Sequence, residues 1–388
     1  MNEVVTKELC APQELRAPEW RHVAALDGLR GIAVIMVLFY HSTFVSFEGK
    51  GIFISLIGDA CRAGWVGVDL FFALSGFLIT GILINTVDDP AYFRKFYLRR
   101  SLRIFPLYYG LFFLLLLLTP VLAIRWNGSL PYFLLYVQNY ATYARLEIST
   151  RFGMIHLEHL WSLAIEEQFY LVWPFMVWLF RGRPSFLVIP LFILIACPIA
   201  RIMALHYGLP AQVTYLWTPF RVDSLAWGAM AAMVQRYAKA GLRARLPLIA
   251  VLSGLSVILL IAIYRHGVLD QYDPLMIKAG YSAVGFTSFG TLLILLKAGS
   301  FPATLVSLSP LRWMGKFSYG IYVYHYIFNG YFGTLRAYTV NVTHSKGLGT
   351  LALVIQTFAV GIGLAWLSYN LYEKHWLRLK DVVARYGM

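Results

Sequence analysis

Apolar runs of roughly twenty residues recur along this chain, and they limit its folding more than any other feature. A helical run of that length matches the hydrocarbon thickness of a bilayer, and Leu111–Leu118 is apolar at every position. Backbone polar groups in lipid must be satisfied within the segment, so such spans are helices. Ten are predicted, at 27–47, 66–85, 104–124, 160–180, 185–205, 217–235, 247–264, 276–296, 317–333 and 350–371. The expected fold is all-α and polytopic, with an N-terminal segment 1–26, a transmembrane domain 27–372 and a tail 373–388. Gly51–Cys61 and Leu130–Tyr140 are apolar but too short to cross, and are expected to lie at the interface or re-enter.

Hydrophobic residues make up 59% of the chain and charged ones 13%, well outside the soluble norm. The formal net charge of +14 raises nucleic acid as a partner, but the basic residues fall mostly in short loops between spans. With the N-terminus inside, 21 of the 33 lysines and arginines lie on the cytoplasmic side and eight on the other. That bias orients membrane proteins, so a lipid bilayer is the expected partner, nucleic acid is not, and both termini are expected in the cytoplasm. Cys10, Cys61 and Cys197 share no redox or metal spacing, and Cys197 is expected to be a small buried residue. The nine histidines show no ligand spacing, so no metal is expected. Glu3, Glu8, Glu14 and Glu19 precede the first span without a small-x-small site, unlike a cleaved signal peptide. About seventeen residues follow the last span, and no appended hydrolase or transferase module is expected.

Ionisable residues within spans are costly and default to functional roles with interior partners. Arg30 and His41 lie eleven residues apart on the first span, which places them within roughly 20° of one face and about 16 Å apart along the axis. An arginine near one surface suits phosphate oxygens; a histidine three turns deeper suits general-base work at the other end of the same ligand. A long thin molecule with phosphates at one end and a reactive carbonyl at the other describes an acyl-coenzyme A. Arg100 and Arg103 share a helical face at the same mouth and add guanidiniums.

Further candidates follow in chain order. Asp69 enters the second span from the outer side, either beside His41 to raise its basicity or as a cap. Ser75 and Gly76 suit close helix packing rather than nucleophilic attack. His159 opens the fourth span, followed by Glu166 and Glu167, expected to hold His41, bind an acceptor hydroxyl or form a structural ion pair. Arg221 with Asp223 is expected to pair at a helix start. Ser318, Tyr322 and His325 recur at i, i+4 and i+7, forming a polar stripe along a cavity wall or a hydrogen-bond ladder. His159, Arg221, Ser318, Tyr322 and His325 are the candidate acceptor-binding residues.

Leu26–Gly31 with His41, Gly67–Ile79, Arg100–Pro106, His159–Pro174, Arg221–Gly228, Phe317–His325 and the closing Tyr372–Lys380 together resemble the membrane-bound acyltransferase-3 family, in order along nearly the whole chain. The resemblance implies a bacterial inner-membrane enzyme, with no bound cofactor, that takes an acyl group, usually acetyl, from cytoplasmic coenzyme A. It implies that His41 matches the essential histidine of the family, Arg30 its paired basic residue, and Arg100 with Arg103 its RxxR element. Members often carry an extra span and an SGNH-type hydrolase domain, neither of which is read here. Compact members modify lipid-linked sugars, nodulation oligosaccharides or macrolides.

The expected reaction is O-acyl transfer from acetyl-CoA to a hydroxyl of a cell-surface or lipid-linked carbohydrate, with His41 as base and Glu166, Glu167 and Asp69 assisting. A covalent acyl-histidine is the rival route. A macrolide or small-molecule acyltransferase with a cytoplasmic acceptor shares this chemistry. A secondary transporter of a lipid-linked sugar or anion accounts for the same intramembrane charges, but the interrupted paired helices and internal symmetry of transporters are not seen.

Overall fold

Apolar segments without internal breakers give long helices, and the computed structural model shows one in every span predicted above. It describes residues 23–43, 52–141, 146–267, 269–297 and 299–379. Most of the expected N-terminal segment, the distal tail, Cys10 and positions 44–47 of the first span lie outside the described residues.

In chain order the helices are α1 (Ala24–Thr43), α2 (Ile52–Arg62), α3 (Val66–Thr86), α4 (Tyr92–Leu122), α5 (Leu130–Leu134), α6 (Trp161–Leu179), α7 (Val188–His206), α8 (Ala211–Leu216), α9 (Val222–Tyr237), α10 (Ala240–Tyr264), α11 (Tyr281–Leu295), α12 (Phe301–Val306), α13 (Ser309–Tyr324), α14 (Asn329–Thr343) and α15 (Lys346–Ser368). A two-stranded antiparallel hairpin, β1 (Ile148–Thr150) and β2 (Gly153–Ile155), departs from the purely helical expectation. Among the described residues, six segments are long and apolar enough to cross a membrane: Ala24–Ser42, Ile57–Thr86, Tyr92–Leu122, Pro184–His206, Ala240–Tyr264 and Lys346–Leu379. The chain is thus a mostly helical integral membrane protein. Large apolar side chains such as Phe113, Leu117, Phe192, Leu260 and Ile355 are exposed on α4, α7, α10 and α15, as a lipid-facing perimeter requires. The interior is held by α1, α3, α6, α9, α11 and α13, which carry the deepest apolar positions.

Neighbouring helices keep definite directions. Gly64 meets Met36 and Gly67 meets Ala33, so α3 runs antiparallel to α1. Tyr92 donates to Pro174 O and Tyr97 to Leu171 O, so α4 and α6 are antiparallel. Gly320 faces Ala365 and Gly361 faces His325, which makes α13 and α15 antiparallel. Two pairs run parallel instead. Asp69 bonds Arg221, and Asn85 accepts from Arg236, which aligns α3 with α9. Gly31 meets Leu311 while His41 meets His325, which aligns α1 with α13.

That last contact is backbone on backbone. A Cβ on Gly31 would sit 2.0 Å from the Leu311 carbonyl oxygen, and one on Gly315 1.8 Å from that of Asp27. Small residues at helix crossings are what permit such approach in membranes. Gly76 serves the same purpose between α3 and α9, 1.9 Å from Leu225 O by the same test, as its neighbours in sequence suggested.

Two predicted spans differ from expectation. α4 begins at Tyr92, twelve residues before the predicted span, because the basic cluster is helical and extends the apolar rod. Asp89 anchors that start: Lys95 (2.8 Å) and the Ala91 N–H (2.8 Å) hold its carboxyl below the usual range. The predicted span 317–333 is two helices, since α13 starts at Ser309 with Pro310 in its first turn and stops at Tyr324 before α14. Leu130–Tyr140 forms only α5 and a 3-10 turn, too short to cross, and Cys197 is buried.

Replacing Gly315 by valine is expected to abolish monodisperse, folded protein in detergent size-exclusion chromatography, because neither backbone can yield the space; Gly333→Val on α14, with nothing within 4 Å of its Cβ, is expected to elute normally.

Candidate active site

Two polar clusters lie at two levels along α1. The first gathers guanidiniums. Arg30 bonds Asp27 at 2.7 Å one turn away. Arg103 lies within electrostatic reach of Arg30 and Arg100, so the three arginines predicted to act together are brought together, from α1 and α4. The Arg100 guanidinium carbon stacks 3.8 Å above the Tyr170 ring, and Arg100 is within electrostatic reach of Glu166 and Glu167. Behind it runs a directed chain: Tyr170 OH donates to Ser75 Oγ (2.8 Å), and Ser75 donates to Glu166 Oε1 (2.8 Å).

This placement corrects one expectation. Glu166 serves the arginine cluster and has no bond to His41; it sits on the arginine side of α6 because α6 runs antiparallel beside the basic part of α4. Glu167, 100° around the helix, turns toward Arg100 with one carboxylate oxygen buried and unpartnered. Ser75, expected only to pack, links Tyr170 to this carboxylate.

The second cluster is built of imidazoles. His41 Nδ1 lies 3.1 Å from Val37 O and 3.0 Å from His325 Nε2. His325 Nδ1 lies 2.8 Å from Tyr322 O. The His41 ring also packs on Tyr326, at 4.3 Å between centroids. His159 packs against both His325 (5.1 Å) and Tyr326 (5.5 Å), and its Nε2 faces Val323 O at 3.2 Å. Tyr322 OH donates to His159 O (2.8 Å) and so accepts from Ser162 Oγ (2.6 Å). Beyond Tyr326, His156 pairs with Glu158 at 2.8 Å.

Of the residues expected to line the acceptor site, His325 contacts His41 directly, and His159 and Tyr322 pack around His325. Ser318 does not join them, because its hydroxyl bonds back to Gly315 O at 2.9 Å within its own helix. Tyr326, Ser162, His156 and Glu158 were missed; Tyr326 directly follows His325, but nothing in its sequence context marks it.

The remaining charges form a clamp. Asp69 is fully buried, accepting two bonds from Arg221 (2.9 and 3.0 Å) and one from Ser224 (2.6 Å). It does not touch His41, since on α3 it faces α9. Arg221 does not pair with Asp223 either. Asp223 takes Arg201 of α7 at 2.8 Å, while Arg221 sits among Trp161, Tyr215 and Tyr281. The two ion pairs fasten α3, α9 and α7, a structural role that sequence spacing alone does not disclose.

A helical bundle with membrane-length apolar segments, a cationic cluster on α1 and α4 and an imidazole cluster on α1 and α13 defines an integral-membrane protein with two polar sites in its interior. Within that class the chain belongs to the acyltransferase family Acyl_transf_3, described as acyltransferase domain, which matches residues 23–370. Among its relatives, the putative peptidoglycan O-acetyltransferase YrhL of Bacillus subtilis is 33% identical over 79% of this chain and 48% of its own length. The peptidoglycan O-acetyltransferase OatA of Listeria monocytogenes is 29% identical over 91% of this chain and 55% of its own. The O-acetyltransferase OatA of Staphylococcus aureus is 28% identical over 83% and 52%. The chain spans about half the length of these curated relatives. No solved structure matches it.

Removing one partner of a buried ion pair strands the other charge, at a cost of about 3–5 kcal/mol. Asp69→Leu is therefore expected to lower the melting temperature in detergent sharply, and the double change Asp69→Leu with Arg221→Met to restore much of it, as read by thermal unfolding of the purified protein.

Proposed function

We propose that this protein transfers an acetyl group from cytoplasmic acetyl-CoA to a hydroxyl of a cell-surface carbohydrate, peptidoglycan or its lipid-linked precursor being the acceptor class. The observation that carries this reading is the arrangement along α1: Arg30, joined by Arg100 and Arg103, about three turns of helix away from an imidazole cluster centred on His41. The guanidiniums match the phosphates of coenzyme A. The separation of about 16 Å along the helix suits its pantetheine arm, which delivers the thioester to His41. There His41 removes the proton of the acceptor hydroxyl as its oxygen attacks the thioester carbonyl, a contribution of about 10²–10⁴ in rate. The likeness to peptidoglycan O-acetyltransferases supports both the O-acetyl transfer and a peptidoglycan acceptor.

Delivery across the bilayer requires a defined topology. We assign ten crossings in the bacterial inner membrane, with both termini cytoplasmic. The helix directions support this: the parallel pairs α1/α13 and α3/α9 are the first with the ninth and the second with the sixth crossing. The antiparallel pairs α1/α3, α4/α6 and α13/α15 are successive crossings. Alternating passage demands this parity.

Two measurements test the assignment. His41→Ala is expected to lower transfer of radiolabel from acetyl-CoA to soluble peptidoglycan fragments in proteoliposomes by at least 100-fold, with the protein still folded; wild-type transfer would sink the reading. In a cysteine-free background, Gly333→Cys is expected to react with a membrane-impermeant maleimide in whole spheroplasts, and Gly241→Cys only after permeabilisation.

A further inference from the structure

General bases in water-poor sites need a partner that decides which ring nitrogen carries the proton. In the familiar triads that partner is a carboxylate. Here the groups on the His41 ring, among the described residues, are a carbonyl, a second histidine and aromatic rings.

We infer that His325 is a positioning residue that fixes the tautomer of His41 and so selects Nε2 as the atom that takes the acceptor proton. The inference rests on the function proposed above and follows from counting protons along the chain of contacts. A carbonyl oxygen accepts and never donates, so His325 Nδ1, 2.8 Å from Tyr322 O, carries hydrogen. A neutral imidazole has one N–H, which leaves His325 Nε2 with a lone pair. That lone pair lies 3.0 Å from His41 Nδ1, so His41 Nδ1 carries hydrogen. The contact of the same Nδ1 with Val37 O at 3.1 Å requires the same answer independently. The two requirements agree, and His41 Nε2 is left with the free lone pair.

The chain also matters after the proton moves. As the acceptor O–H bond breaks to Nε2, its oxygen bonds to the thioester carbon. Collapse of the tetrahedral adduct breaks the C–S bond, and Nε2–H returns the proton to the departing coenzyme A thiolate. Ester and thiol are the products, and His41 is neutral again. While His41 holds both protons, its Nδ1–H still points at two acceptors already in place. Such preorganised dipoles stabilise developing charge without reorganisation. His325 is itself held, since Gly361 lets α15 approach its Cβ and the His159 ring packs nearly perpendicular to it at 5.1 Å between centroids.

Two substitutions separate this role from packing. His325→Asn places an amide N–H near the Nδ1 position and keeps the bond to Tyr322 O, but offers nothing to His41. His325→Gln places a carbonyl oxygen near the Nε2 position and restores the acceptor. Purified full-length variants in proteoliposomes, with radiolabelled acetyl-CoA and soluble peptidoglycan fragments, provide the assay. His325→Asn is expected to lose about 100-fold in kcat with KM for acetyl-CoA within about twofold of wild type, and His325→Gln to recover to within about tenfold of wild type. Wild-type kcat in His325→Asn, or an equal loss in both variants, overturns the inference. If His41→Ala is inactive while His325→Asn is unimpaired, this inference alone falls; if His41→Ala is active, the proposed function falls first. Nitrogen NMR of 15N-histidine-labelled wild-type protein requires no variant to fold: His41 protonated at Nδ1 supports the chain, and protonation at Nε2 overturns it.

Discussion

The contact on which the rest of the site depends is the glycine-to-backbone crossing of α1 and α13. Gly31 and Gly315 let the two main chains touch, and both helices then run the same way for ten residues. Equal rise per residue brings position 41 level with position 325, and the two imidazoles meet at 3.0 Å. A bulkier residue at either crossing point separates the axes and breaks the chain of contacts at its far end. The register is thus set by the smallest side chains, at a distance of about three helical turns from the groups whose meeting they determine.

Around that pair, charge is used in two different ways. Asp69 with Arg221 and Asp223 with Arg201 neutralise each other deep between α3, α9 and α7. Each carboxylate is matched by a guanidinium, and Asp69 also accepts from Ser224, which is the condition under which buried charge is tolerated. The cluster of Arg30, Arg100 and Arg103 differs: three cations share Asp27, Glu166 and Glu167. Ser75 and Tyr170 hold Glu166 in place, so that Arg100 is stacked and flanked at once.

Much of this was legible in one dimension. Helical periodicity places Arg30 and His41 on one face, and lipid thickness marks apolar segments that each contain a helix, six segments being long and apolar enough to cross among the described residues. The grouping of Arg30 with Arg100 and Arg103 followed from shared position at one end of two spans. Partner choice was not legible. Asp69 chooses Arg221 across 152 positions and Asp223 chooses Arg201 across 22, because the identity of neighbouring helices, not sequence proximity, decides which charges meet. Three roles stayed open for Glu166, contact with His41 among them, and the antiparallel run of α6 along α4 puts it at the arginines. Tyr326 and the pair His156–Glu158 lie in the turns just outside helices, where no periodicity marks them. α14 was hidden because its first residues fall within the apolar span predicted at 317–333, although it is a separate helix against α15.

The use of a histidine where soluble enzymes place a carboxylate has a physical logic in a bilayer. A carboxylate next to His41 would need its own desolvated charge balanced whenever the imidazole is neutral, which is most of the proposed cycle. The neutral series Tyr322 C=O, His325, His41 carries no net charge in that state, yet presents the same directed acceptor to Nδ1–H. The His41–His325 pair becomes charged only while His41 holds the transferred proton, and a nearby carboxylate, Glu158 beyond Tyr326, is already paired with His156. Permanent charge also lies in the ion-paired clamp and in the arginine cluster, where cations face phosphate in the proposed donor complex. The anchoring level draws on α1 and α4 and the chemical level on α1 and α13, so the two share one helix about three turns apart and neither needs the charge of the other.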